Sequence, residues 1–134
     1  MLEVGNATET ILTANQTIPF STISYDTNTD SHFDVSTNSL VIDKSGYYIV
    51  SGEFVFSPTA VGDASIYLYV NGNQIPASVT TFTATEESQK FTFVISPKVI
   101  KTIPTLANSS VPVRFVSSVA GTLYNANALL IGAR

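Results

Sequence analysis

The chain has 134 residues, of which 12% are charged, a formal net charge of −4, one histidine, and neither cysteine nor tryptophan. Without cysteine it has no disulfide, no thiolate metal site and no thiol nucleophile. Six Lys and Arg against ten Asp and Glu, with no basic cluster, argue against nucleic acid and anionic membrane as partners.

The length predicts one domain over 1–134, large enough to bury a core unaided. The opening MLEVGNATET carries no basic leader, and no run approaches the ~18 apolar residues of a membrane span, so neither a secretion signal nor membrane insertion is expected. Ser and Thr, at 16 and 17 residues, accompany many Val, Ile, Phe and Tyr, a mixture that favours strands. Low charge with a mean hydropathy of +0.25 points to assembly.

No stretch of eleven residues holds apolar positions at helical spacing, while period-two alternation bounded by Gly, Asn, Asp and Pro recurs. The first predicted strands run 10–14 and 17–23, the second an edge or bulged strand because Pro19 cannot donate a ladder bond. Short strands follow at 33–35 and 39–42. GYYIVSGEFVF, over 46–56, is the longest: Tyr48, Val50, Phe54 and Phe56 form one face, and Tyr47, Ile49, Ser51, Glu53 and Val55 the other. Both faces are mostly apolar, so neither is expected to be fully wet. The strand 65–70 ends directly in Asn71-Gly72, a strong hairpin signal. After a loop through Glu86 and Glu87, Phe91, Phe93 and Ile95 alternate until Pro97 ends the strand. Val111, Val113 and Phe115 mark another, and 122–131 closes the chain, alternating Tyr124, Ala126, Ala128 and Leu130 with Leu123, Asn125, Asn127, Leu129 and Ile131. The pattern predicts an all-β, two-sheet antiparallel jelly-roll sandwich of about ten strands.

Taken in order, the segments TIPF, GYYIVSGEF, IYLYVNG, KFTFVIS and NALLIG resemble the tumour-necrosis-factor and complement globular-head (C-one-q) jelly roll. The most specific element is Gly46, then Tyr48, then the apolar alternation, followed by a strand ending in the Asn71-Gly72 hairpin. Where many members have a Gly-Asp turn, this chain has SPKVIKTIPTLANSS. The resemblance implies a homotrimer whose inner sheet, with the Gly46, Phe91 and C-terminal strands, packs about the three-fold axis, and whose outer sheet contains the Ile66 strand. It assigns the trimer interface to Tyr47, Ile49, Val55 and Leu129. The opening of the chain is similar to phage and bacterial members, in which such trimers decorate or project from virions. The expected function is therefore a virion structural protein, a trimeric head fibre or capsid-decoration protein of a bacteriophage, at the virion surface, with itself, other capsid proteins and a host-surface glycan as partners. The alternative is a bacterial surface adhesin or lectin domain of the same fold, at the bacterial cell surface.

Asp26, Asn28 and Asp30 spell the opening of a calcium loop. The positions that need Gly and a bidentate Glu are Ser31 and Thr37. An Asx-rich turn without a cofactor is expected, calcium being the single ion considered. Ser31, His32 and Asp34 have the residue types of a hydrolase triad, yet neighbours on a short strand point apart. Glu53 and the pair Glu86-Glu87 fit solvation or salt bridging better than glycoside hydrolysis, and no enzyme is expected. Tyr67 and Tyr69 share a face of the Ile66 strand, where rings stack on sugars or pack across the sheet. With Asn73 and Gln74, whose amides donate and accept at once, they are the candidate ligand-binding residues.

Overall fold

The computed structural model describes residues 1–26, 30–75, 79–102 and 110–133. Twelve strands form among the described residues: β1 (Leu2–Asn6), β2 (Thr10–Leu12), β3 (Thr22–Asp26), β4 (Ser31–Asp34), β5 (Ser39–Ile42), β6 (Gly46–Pro58), β7 (Gly62–Val70), β8 (Asn73–Gln74), β9 (Thr80–Ala84), β10 (Phe91–Thr102), β11 (Val111–Ser117) and β12 (Gly121–Ala133). They pair antiparallel into two six-stranded sheets. The first has the order β10-β6-β12-β1-β3, with β2 also on β12; the second has the order β4-β5-β11-β7-β8, with β9 also on β7. The Gly46, Phe91 and C-terminal strands thus share one sheet and the Ile66 strand lies in the other. No helix among the described residues is long and apolar enough to cross a membrane.

Alternation along each strand sends one set of side chains between the sheets. From β6 these are Tyr48, Val50, Phe54 and Phe56, all buried, and from the facing sheet Ile66, Leu68, Val113 and Phe115. The Phe54 and Phe115 rings meet across the sandwich at 5.0 Å, with Phe20 at 6.5 and 6.3 Å from them. A second aromatic group, Phe56, Phe82, Phe91 and Phe93, fills one end. Gly52 lies on the inward side of β6, where a Cβ would stand 2.8 Å from two Phe54 ring atoms and 3.0 Å from Phe115. Its missing side chain is the space those rings occupy. At the β7-β8 hairpin, Val70 pairs with Asn73 across Asn71 (φ 53) and Gly72 (φ 80). Two successive positive φ values are what a tight primed turn demands, and Asn-Gly supplies them with little strain.

Several boundaries differ from the sequence reading, each for a local reason. Residues 17–21 are not a strand: Thr17 makes one bridge to Val116, and the amide of Phe20 donates to the Asn38 side chain. Ile18 and Phe20 nevertheless fill the core. The strand actually paired is β1, whose Leu2 and Val4 face inward opposite Leu130 and Ala128; Gly5 and Asn6 had masked its alternation. Pro97 does not end β10. Ser96 and Pro97 fall in a bulge between Ile95 and Lys98, and pairing with β6 resumes to Thr102, since an edge strand tolerates proline where no ladder bond is needed. A second bulge, between Leu123 and Asn125, reverses the parity of β12. Leu123 is therefore core and Tyr124 half-buried outside, with the Lys90 ammonium 4.0 Å from its ring centroid.

Tyr48 ties the turn before β6 to the core. Its hydroxyl donates to the Lys44 carbonyl at 2.8 Å. Burial, and then the nearby Asp43 charge, raise its pKa above 10.0. The neutral phenol is the native form, so its contribution is intact below pH 10.0 and is lost as pH climbs through the raised value. The melting temperature, followed by circular dichroism, is expected to fall on the alkaline side of pH 10.0, and to fall less steeply in Tyr48→Phe.

Candidate functional site

Each sheet has an outward face, and the two differ in chemistry. On the first sheet, the β6 residues that point away from the core are Tyr47, Ile49, Ser51, Glu53 and Val55. Register places Val99 of β10 beside Ile49, and Ile131 of β12 on its other side, so three β-branched side chains form a row across the sheet. Leu129 stands one step along, opposite Ser51. Tyr47 is 51% exposed with the Lys101 ammonium 5.7 Å from its ring centroid, and Val99 is 69% exposed. The structure therefore gathers Tyr47, Ile49 and Leu129 into one apolar patch. Val55 is separated from that patch by Glu53, whose register partners are Val94 and Asn127, the latter's amide donating to Glu3 at 3.5 Å. Sequence reasoning missed Val99, because the strand was expected to stop at Pro97; the signal was the apolar pair after the proline, Val99 and Ile100.

On the second sheet, Tyr67 and Tyr69 are half-buried on the outward face, their ring centroids 6.4 Å apart and edge to face. Gln74 pairs with Tyr69 and shares its face, whereas Asn73 pairs with Val70 on the opposite parity. The Asn73 amide donates back to the Asn71 carbonyl at 3.5 Å. Register brings Arg114 of β11 beside Tyr69. Its guanidinium carbon lies 5.4 Å from the ring centroid, and one nitrogen donates to Thr17 Oγ1 at 3.1 Å. Arg114 had no signal in the sequence beyond standing within an apolar strand.

Next to Arg114 the same face opens into a groove of about 470 Å³, lined by Asp34, Ser39, Val41, Ser110 and Pro112 among others. Pro112 and Val41 are register partners. The Ser36 hydroxyl and then its amide donate to Asp34 Oδ1, at 2.7 and 3.0 Å, and hold that carboxyl below its usual 3.8. At the rim, His32 Nδ1 lies 2.6 Å from Asp43 Oδ2, and Ser110 donates to Asp43 Oδ1 at 3.1 Å.

Ser31 is buried while His32 is exposed on the other face of β4, so Ser31, His32 and Asp34 do not converge as a triad. Of the calcium-loop residues, Asn28 lies outside the described residues. Asp26 is exposed at the end of β3, and Asp30 lies 3.6 Å from the Lys44 ammonium. No group of three potential metal ligands occurs among the described residues.

No protein-family model and no curated protein matches the chain. Solved structures do match. The globular domain of zebrafish complement 1qA protein aligns over 99% of this chain and 98% of its own, at 14% identity and a TM-score of 0.65. The Eiger tumour necrosis factor of S. frugiperda aligns over 99% and 91%, at 8% identity and a TM-score of 0.76. At such identities the likeness concerns the fold: the chain folds as the two-sheet jelly roll of the complement globular head and tumour necrosis factor.

Proposed function

We propose that the chain is a trimer-forming structural module of a virion surface, a head fibre or capsid-decoration protein, whose first sheet faces the three-fold axis and whose second sheet faces outward to a host-surface saccharide. The observation that carries the assembly is the row Val99, Ile49 and Ile131, with Tyr47 and Leu129, on the far side of a sheet whose other side is already the core. Contiguous apolar surface of this kind on a chain with 12% charge marks an interaction surface. A second copy suits it, because each copy brings the same patch and few charges that would need partners. The outward reading of the second sheet is supported by the Tyr67 and Tyr69 rings, which offer large contact area at low entropic cost. The virion setting is supported by the resemblance of the opening segment to phage members.

Light scattering during size exclusion tests the assembly. A mass close to three times 14.3 kDa is expected at micromolar concentration, and a stable 14.3 kDa species would overturn it. Immunogold labelling of virions tests the setting; label confined to bacterial cell surfaces would favour an adhesin or lectin domain instead.

A further inference from the structure

Arg114 is half-buried, and among the described residues no carboxylate lies within ion-pair distance of it. Thr17 and the Tyr69 ring hold it in place. A guanidinium carries five N–H donors in a rigid planar fork, of which Thr17 takes one. Arg114 is one of the residues that line the groove, so a cation with donors to spare borders the cavity. Holding it there in advance removes much of the ordering cost that a ligand would otherwise meet.

The rest of the lining asks for something different. Asp34 is held ionised and is an acceptor only. The Ser110 hydroxyl donates to Asp43 and the Ser39 hydroxyl to the Thr37 carbonyl at 3.4 Å, which leaves both hydroxyl oxygens as acceptors. Register puts Asp34 and Ser39 in line with Arg114, and Val41 and Pro112 form an apolar pair in the neighbouring row, on the way to Ser110. A matching ligand must bring an anionic planar group for Arg114, several O–H donors, and a C–H surface. A simple carboxylic acid lacks the donors. A neutral sugar leaves the guanidinium unmatched. An amino-acid zwitterion brings one ammonium to three separate acceptors. A carboxylated sugar meets all three demands, and a groove of about 470 Å³ is in the size range of small-ligand sites.

We propose that this groove binds a carboxylate-bearing sugar unit of a glycan, the carboxylate on Arg114 and the ring hydroxyls on Asp34, Ser39 and Ser110. The proposal rests on the reading of the second sheet as saccharide-facing, and it names the saccharide class.

The test is titration of the full chain, by saturation-transfer NMR and calorimetry, with the methyl glycosides of glucuronic, galacturonic and N-acetylneuraminic acids, the methyl glycosides of glucose and galactose, and acetate. At least one acidic sugar is expected to bind tenfold or more tightly than the neutral sugars, with acetate showing no saturable binding. Arg114→Gln should remove that preference, and Arg114→Lys, which keeps the charge but loses the fork, should remove most of it. If acidic and neutral sugars bind equally and Arg114→Gln is silent, the carboxylate proposal falls while the saccharide reading of the face stands. If none of the sugars binds, both fall. If acetate competes at the same concentrations as the acidic sugars, the groove is a general anion site and the proposal is wrong. Should Arg114→Gln not fold, the ratio of acidic to neutral affinity in the unaltered chain decides the matter.

Discussion

Gly52→Val is expected to be strongly destabilising, seen as a large downward shift of the cooperative thermal transition. Even a bare Cβ at this position would stand 2.8 Å from the Phe54 ring and 3.0 Å from Phe115. An isolated aromatic ring could swing aside, but Phe54 is packed against Phe115 at 5.0 Å and Phe20 at 6.5 Å. Displacing one ring therefore displaces three, across both sheets. Overpacking a filled core costs about 1 to 3 kcal/mol in ordinary cases, and Gly52→Ala belongs at the upper end of that range. Valine adds two further methyl groups to the same closed space, which brings the loss to ~4 kcal/mol or more, against a total stability of about 5 to 15 kcal/mol. A built-in check is coupling: Phe54→Leu combined with Gly52→Ala should cost less than the sum of the two, because the smaller side chain vacates the contested volume.

Ile49→Asp should convert the assembly to 14.3 kDa species without abolishing the β-sheet circular dichroism. In the separate chain Ile49 is half-buried on the outward face, where a carboxylate reaches water, so the jelly roll itself survives. Within the proposed trimer the same position, between Val99 and Ile131, is closed over by neighbouring copies. Each buried unpaired carboxylate costs several kcal/mol, and there are three per assembly. Tyr67→Ser, on the other sheet, should leave the mass unchanged. A mass that stays threefold in Ile49→Asp would move the interface away from this sheet.

The two sites were legible in the sequence to different degrees. Tyr47, Ile49 and Leu129 could be found because alternation along GYYIVSGEFVF and along the closing strand after its bulge leaves apolar residues on the non-core face, and the family resemblance assigns that face to an interface. Asn71-Gly72 fixed its hairpin because few residue pairs accept two positive φ values in succession. Alternation fails as a guide wherever a bulge inserts a residue. Simple alternation groups Tyr124 with Ala126, Ala128 and Leu130, from which the bulge separates it, and Val99 is hidden behind Pro97. The strand Thr80–Ala84 was missed because Phe82 is its single large apolar residue. The groove beside Arg114 was illegible because it joins β4, β5 and β11 with the hairpin turn at Gly72, and only the register of the sheet brings these together.

The bulge at Ser96 and Pro97 has a consequence for solubility. β10 ends its sheet, and its outer margin is where an extended segment of another chain would add on, the first step towards fibrillar aggregation. That margin is not a continuous template. Pro97 contributes no N–H, the bulge around it twists the strand, and the Thr80 hydroxyl already occupies the Val94 carbonyl. Lys98 and Lys101 add like charges that repel a second copy approaching edge to edge. Through this rim, copies with exposed apolar faces are therefore kept from zipping into cross-β ribbons.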